Sequence, residues 1–554
     1  MKSDLVEKIS KLMAADAQLL SRAEIESKYP SRELAEGAEV TRFCPSPTGF
    51  VHIGSVYTAL ICQFLARQTA GRYILRIEDT DKKREVAGAK ALIATQLSSF
   101  SLSPDEGLQP NGQEQGNYGP YLQSERQEIY LAFALELLKS GRAYPCFATS
   151  EELAEAVKDQ QSKKLRPGYY GEWALWRDRT DEDVIAAIDA GKPFVLRFKS
   201  LGDHSNRVEF MDVLKGSMSL PENDLDVPLI KSDESRLPTY HLAHVVDDYL
   251  MKATIILRGE EWLPSTPLHL ELSDALNIPR FRYAHLGLIS IIDASGGGKR
   301  KLSKRKDAEA DVDFWLKAGY PIRAIKAYLL GLANSNFEDW YRENPEAPLE
   351  DFEMSLHKLA ASRSPLLDMK KVEDYSKDEI ARLPQHDFET AIMQASGDSL
   401  RTALEQDISY TQAVLAIERT GDNKRKDLAK FSDAFEQYGY FYNDVFAESF
   451  APRIQEELSD FKPEVVASAC SKFLKIYSPE DNQQAWFDKL KQAAEASGFA
   501  LDNKEFKANS DKYNGNVADF ARIIRVKLTG KNRTPDLHAI MQIMGAERVT
   551  SRLA

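Results

Sequence analysis

The stretch Val40-Thr41-Arg42-Phe43-Cys44-Pro45-Ser46-Pro47-Thr48-Gly49-Phe50-Val51-His52-Ile53-Gly54-Ser55 and its continuation to Ile77 decide the fold class. Residues 39–43 read as a β-strand, and Cys44 to Gly49 as a turn stiffened by two prolines. From Gly54 onward Val56, Leu60, Ile61, Phe64 and Leu65 recur at helical spacing, with Gly71 as C-cap. Tyr73-Ile74-Leu75-Arg76-Ile77 then reads as a second strand. Strand, turn, helix and strand within about 40 residues make the βαβ unit of a parallel-sheet domain.

On either side of this unit the chain changes character. Residues 1–20 carry charges at nearly every turn and no continuous apolar core, so they read as a surface amphipathic helix, not a signal peptide. Residues 1–36 form an extension, and the sheet domain occupies 37–143. Residues 144–236 break the rhythm with short mixed segments and the aromatics Tyr169, Tyr170, Trp173 and Trp176, as an inserted domain would. The β signals resume at Val245-Val246 and Thr254-Ile255-Ile256-Leu257, within a second half over 237–290. Beyond about residue 310 the pattern is helical, as in 314–332 and 465–476, and Ser295-Gly296-Gly297-Gly298 reads as a flexible loop.

A chain of 554 residues has room for several domains of roughly 150 residues each. Its 43% hydrophobic and 28% charged residues exclude a disordered tail, a collagen and a disulfide-stapled mini-protein. The net charge of −13 does not advertise nucleic acid, so local basic patches would have to carry such a partner. Cys44, Cys62, Cys146 and Cys470 stand apart without a CxxC, as in a reducing compartment. No apolar run approaches 18 residues, and the expectation is a cytoplasmic protein without a membrane span.

Two constellations carry chemistry. In the first, His52 precedes a helix whose start is opened by Gly54, and a helix N-terminus favours phosphate. A solvated histidine before an ordinary helix would look the same in isolation. In the second, six of the eight residues from Lys299 to Lys306 are basic and follow the glycine-rich loop. Such a run suits a solvated face, or a loop that clamps a polyphosphate.

In their order and separation, His52-Ile53-Gly54-Ser55 and Lys301-Leu302-Ser303-Lys304-Arg305 resemble the HIGH and KMSKS signatures of class I aminoacyl-tRNA synthetases. Ser55 in place of the last histidine is common in the glutamyl branch. Three further phrases narrow the resemblance to bacterial-type glutamyl-tRNA synthetase: Arg76-Ile77-Glu78-Asp79-Thr80-Asp81, Pro238-Thr239-Tyr240-His241-Leu242-Ala243-His244-Val245-Val246-Asp247-Asp248 and Leu257-Arg258-Gly259-Glu260-Glu261-Trp262. Val526-Lys527-Leu528-Thr529-Gly530 and Gly545-Ala546-Glu547-Arg548-Val549 look like the last helical module of that enzyme. The resemblance runs from about Val40 to Leu553 and leaves residues 1–36 outside.

The resemblance implies an α/β Rossmann-type catalytic domain with an inserted acceptor-binding domain at 144–236, followed by an all-α anticodon-binding region at 391–554. Between them, 291–390 would be a stem-contact region carrying the basic loop. The implied reaction joins glutamate to the 3′ end of tRNA(Glu) through a glutamyl-adenylate. His52, Gly54, Lys301, Ser303 and Lys304 would be catalytic, and His52, Gly54, Glu261 and Lys304 would hold ATP. Mg²⁺ would accompany ATP through its phosphates. Arg42 and Arg258 would surround glutamate, Glu78 would take its ammonium, and Ser46, Tyr240 and His244 would complete the pocket.

His244 stands where bacterial members often carry Asn, and Ala148 stands where zinc-containing relatives complete a Cys-x-Cys, so no protein-bound metal is expected. A monomer is expected. Whether tRNA(Gln) is charged as well stays open, as does the N-terminal extension. The rivals are a tRNA-modifying glutamyl-queuosine synthetase, which lacks an anticodon region, a glutaminyl-tRNA synthetase, whose C-terminal part is β-barrel, and a non-catalytic tRNA-binding paralogue.

Overall fold

The computed structural model describes all residues except 1, 15–18, 294–295, 304, 362–364, 420 and 422–423, and no side chain at 360–361. Lys304 and Ser295 therefore lie outside the described residues. The chain divides into two compact units, Met1–Phe314 with Lys326–Asp368, and Trp315–Ile325 with Met369–Ala554. Residues 369–390 thus belong with the helical second unit, earlier than the expected boundary at 391.

The first unit begins with α1 (Ser3–Ala14), whose Leu5, Ile9 and Met13 recur at i, i+4 and i+8 and are buried. β1 (Val40–Phe43) leads through α2 (Ile53–Gln68) to β2 (Arg72–Leu75), which pairs with β1 in parallel, Val40 opposite Arg72. β2 continues in parallel to β3 (Glu106–Leu108), and β4 (Glu114–Gln115) closes that edge antiparallel. α3 (Gln127–Lys139) shares a core with α1, so the N-terminal extension is packed into the first unit. Tyr29 and Arg32 add polar ties, to Arg126 at 3.1 Å and to Glu106 at 2.6 and 3.0 Å.

The inserted segment supplies two structures. β5 (Ala143–Cys146), β6 (Val195–Phe198) and β9 (Pro228–Ile230) form a small antiparallel sheet. β7 (Arg207–Asp212) and β8 (Gly216–Pro221) instead form a hairpin that extends a second parallel sheet. There β10 (Ile255–Gly259) pairs in parallel with β11 (Arg282–Leu286), and β11 meets β7 at Tyr283 opposite Asp212. The insertion over 144–236 is thus interrupted by a hairpin that belongs structurally to the sheet.

Val245-Val246, expected as strand, lie inside α4 (Tyr240–Leu250). Leu242, Val245, Val246 and Leu250 form a helical stripe, all fully buried. That burial outweighs the few tenths of a kcal/mol by which valine disfavours helix. The stretch 314–332 is not one helix either: Gly319, at φ 74°, and Pro321 separate Val312–Ala318 from Ile322–Ala333.

The two parallel sheets meet along β1 and β10, where Thr254 N donates to Val40 O at 3.0 Å and Val40 N to Thr254 Oγ1 at 2.9 Å. The second unit is helical among its described residues. The first unit also holds α5 (Thr266–Ala275); the core of the second joins Phe473, Leu490, Phe520, Ile523, Ile524 and Met541 from α6 (Pro463–Leu474), α7 (Gln483–Ala496), α8 (Val517–Thr529) and α9 (Leu537–Leu553).

Candidate active site

A cavity of about 630 Å³ opens at the C-terminal ends of β1 and β10, where open α/β sheets bind ligands. One end is built by the start of α2. His52 is its N-cap, and Nδ1 of His52 accepts the Gly54 amide proton at 2.9 Å. With Nδ1 as acceptor, the proton of the neutral ring sits on Nε2, which can donate to an anion. The Gly54 amide, which the sequence alone points at a phosphate, is engaged by the histidine.

β12 (Ser290–Ile292) and β13 (Lys299–Lys301) form an antiparallel hairpin that brings Lys301 and Ser303 to the same cavity. Lys301 Nζ lies 3.9 Å from Oε1 of Glu261, which also lines the cavity. The Ser303 amide donates to Asp307 Oδ2 at 2.8 Å, and Arg300 clasps that carboxylate at 2.7 and 2.6 Å. The Arg300 hydrogen bonds push the Asp307 carboxyl down to about 2. Arg300 therefore shapes the loop, although the sequence groups it with the residues that meet polyphosphate.

At the other end stand Arg42 on β1 and Arg258 on β10, both nearly buried and both lining the cavity. Their charges are compensated differently. Arg42 Nε lies 3.1 Å from each oxygen of Asp248, and Nη1 donates to Leu257 O at 3.0 Å. Asp248 also accepts from Arg76 Nη1 at 2.6 Å. Burial acts to raise the Asp248 carboxyl, but Arg42 and Arg76 hold it well below the usual carboxylate range.

Arg258 meets no carboxylate within ion-pair distance among the described residues. Its Nε donates to His285 Nε2 at 2.9 Å and its Nη2 to Thr266 Oγ1 at 3.0 Å, while Nη1 lies 3.0 Å from His269 Nδ1. A buried cation surrounded by neutral acceptors suits a site whose countercharge arrives with a ligand.

Glu78, Tyr240 and the exposed Ser46 complete this part of the lining. Burial pushes the Glu78 carboxyl up to about 7, against the pull of Arg76 and Arg42. The Tyr240 ring packs on Trp262 with centroids 4.1 Å apart.

The cavity lining does not include His244, which the family resemblance sets beside the amino acid. It lies one turn beyond Tyr240 on α4, fully buried and stacked on that ring at 5.6 Å. Its Nδ1 is 2.8 Å from Asp248 Oδ2, off the line a hydrogen bond needs, and its Nε2 is 3.3 Å from the Tyr283 hydroxyl. Burial pushes it down to about 3, so it brings no positive charge near neutral pH. Cys146, where a Cys-x-Cys would start, is buried with Sγ 3.2 Å from the Tyr169 hydroxyl.

Asp248, Asp212, His285, His269 and Thr266 build the site yet escape sequence reasoning about it. The doubled acid Asp247-Asp248 in a helix with no other acid and no Lys or Arg is a usable signal; the pairing of Asp212 with His285, 73 positions apart, leaves none.

Several basic residues of the second unit are committed internally. Arg522 pairs with Asp460 at 2.7 Å, Arg425 bonds Asp427 and Gln437, and Lys531 donates to Glu436 O at 2.6 Å. A groove of about 820 Å³ there is lined by Trp486, Phe487, Arg525, Thr534 and Pro535. Trp486 Nε1 and Arg525 Nε have no hydrogen-bond partner among the described residues. Another cavity, about 870 Å³, is lined largely by apolar residues such as Leu458, Val466 and Leu474, so size alone does not mark the reactive site.

Residues 39–359 match the family described as tRNA synthetases class I (E and Q), catalytic domain, and residues 407–554 match the anticodon binding domain. The glutamate–tRNA ligase of Clostridium beijerinckii is 42% identical over 533 residues, covering 95% of each chain. That of Sorangium cellulosum is 38% identical over 573 residues, covering 98% of this chain and 99% of its own. The latter match leaves too few residues outside for the whole N-terminal extension to be excluded from it. The crystal structure of glutamate-tRNA synthetase from Elizabethkingia anophelis superposes with a TM-score of 0.69 at 25% identity, covering 93% of this chain and 98% of that one.

Proposed function

Because the chain belongs to the class I tRNA synthetases of the glutamate and glutamine branch, with glutamate–tRNA ligases as full-length relatives, we infer that it attaches glutamate to tRNA at the expense of ATP. The observation that carries the reading in this molecule is Arg258: a buried guanidinium with no carboxylate at ion-pair distance among the described residues, in the cavity that also holds His52 and Lys301. One such cavity can take an amino acid bearing a side-chain carboxylate at one end and a polyphosphate at the other.

In the first step the α-carboxylate of glutamate attacks the α-phosphorus of ATP, forming glutamyl-adenylate and releasing pyrophosphate. In the second, a hydroxyl of the terminal tRNA ribose attacks the activated carbonyl and AMP leaves. No protein nucleophile is needed, so the rate comes from positioning and charge stabilisation. Arg258 receives the side-chain carboxylate, with Arg42 nearby, and Glu78 takes the ammonium. Tyr240 and Ser46 border the amino acid. His52 Nε2 and the Lys301 ammonium meet the phosphates, with Ser303 and Glu261 beside them; Lys304, in the same motif, joins that group by family resemblance. Mg²⁺ enters as part of the ATP complex.

The groove at Trp486, Phe487 and Arg525 suits unstacked bases, which proteins hold by stacking and edge hydrogen bonds. With the anticodon-domain match, it supports tRNA(Glu) as partner and gives no support to an enzyme without an anticodon region. No helix among the described residues is long and apolar enough to cross a membrane, and four unpaired thiols accord with action in the cytoplasm. Purified protein with glutamate, ATP, Mg²⁺ and tRNA(Glu) is expected to form glutamyl-tRNA. Absence of that product would overturn the reading, and a parallel assay with tRNA(Gln) defines the tRNA range.

A further inference from the structure

The hydrogen bonds around Arg258 impose a definite protonation pattern on residues that do not touch the cavity. Arginine only donates, so the ring nitrogen 2.9 Å from its Nε, His285 Nε2, has to present a lone pair. The other nitrogen, Nδ1, lies 2.6 Å from Asp212 Oδ2 and must therefore carry the proton. Asp212 is itself held in place: its Oδ1 accepts the backbone amides of Leu214 at 3.0 Å and Lys215 at 2.9 Å, in the turn between β7 and β8. Both Asp212 and His285 are almost wholly buried.

This geometry solves a problem in carboxylate recognition. A carboxylate bonded directly to Arg258 would steady the cation but compete with the ligand for it. Setting the acid one imidazole away keeps the guanidinium aligned and leaves its nearest countercharge to be supplied from the cavity.

We propose that Asp212 and His285 are positioning residues for the substrate's side-chain carboxylate: Asp212 fixes His285 as a hydrogen-bond acceptor, and His285 fixes the plane of Arg258. The proposal rests on the reading that glutamate is the amino acid charged.

Asp212→Asn tests it directly. With Oδ1 still accepting the two turn amides, the new NH₂ faces His285 Nδ1, which must become an acceptor. The ring proton then moves to Nε2, where it opposes the Arg258 Nε–H. Leaving a buried donor against a donor is expected to raise KM for glutamate on the order of 10- to 100-fold. KM for ATP and tRNA affinity should stay within a few-fold. His285→Gln, whose amide can accept from Arg258 and donate to Asp212, should retain more glutamate affinity than His285→Leu.

In protein carrying ¹⁵N-labelled histidine, His285 should show the Nδ1–H tautomer, replaced by Nε2–H in Asp212→Asn. An unchanged glutamate KM in Asp212→Asn, equal losses in the two His285 variants, or an Nε2–H tautomer in the wild type would each overturn the proposal. If the Asn variant does not fold, the His285 pair and the wild-type tautomer still decide. Wild-type protein that fails to charge tRNA with glutamate would instead defeat the functional reading, while the tautomer measurement would still report on the relay.

Discussion

Nδ1 of His52 accepts the amide proton of Gly54 at 2.9 Å, so the imidazole caps the helix that begins beside it. The cap ties the ring's orientation to the absence of a side chain two residues later. A Cβ on residue 54 would stand 3.0 Å from His52 Nδ1 and 3.5 Å from Cε1, and the ring would have to give way.

Gly54→Ala is therefore expected to slow ATP–pyrophosphate exchange on the order of tenfold, because displacements well below an ångström already disturb reacting geometry. Alanine favours helix over glycine by up to about 1 kcal/mol, so the melting temperature should not fall. An undiminished exchange rate would remove the His52 ring from the chemistry.

Arg258→Gln leaves the ligand carboxylate without its cation and leaves His285 and His269 without their donor. KM for glutamate should rise steeply, and the preference for glutamate over glutamine, on the order of 10³-fold in the wild type, should narrow. The quantity to measure is kcat/KM for both amino acids in the two proteins. An unchanged ratio would place the discriminating charge elsewhere.

Glu78 predicts a pH dependence. Its carboxyl is pushed up to about 7, so below that value it is increasingly neutral and offers the substrate ammonium no charge. The kcat/KM for glutamate should thus rise about tenfold between roughly pH 6 and 8, whereas kcat, read with the ammonium already bound, should change less. Glu78→Gln should be low and flat over the same window. A flat wild-type profile would exclude Glu78 as the ammonium partner.

Asp248 stands between Arg42 and Arg76, and Asp248→Asn strips both buried cations of a shared counterion. The expected loss is about 3–5 kcal/mol, read as a lower urea midpoint with an unchanged slope. Because its folded carboxyl is held well below the usual range, its contribution is complete above about pH 4 and is lost only as the pH falls through that depressed value. A variant as stable as the wild type would mean that the remaining acids suffice.

The βαβ unit at residues 40–75 was legible because both signals it uses are local: apolar spacing for α2 and turn chemistry for Cys44 to Gly49. The meeting of His52 and Gly54 with Lys301 and Ser303 in one cavity shares that advantage, because they stand in two contiguous phrases. The place of His244 was hidden for the same reason in reverse. It lies within a motif whose neighbour Tyr240 lines the cavity, yet the helical turn carries its own ring into the core. The state of Arg258 was not legible, since its identity appears in the phrase with Glu260 and Glu261 while its acceptors come from β11 and α5. The helix α1 of the extension likewise reveals its role only through α3, more than a hundred residues later.

The hairpin of β7 and β8 also limits how the molecule can be recombined. A chimera that exchanges residues 144–236 as one cassette would replace Asp212 and the turn that orients it while leaving His285 behind. Its amino-acid pocket would then depend on whether the donor hairpin matches the recipient strand β11. Splicing on both sides of Arg207–Pro221, so that the recipient keeps its own hairpin, makes the small antiparallel sheet and its helices the exchangeable module.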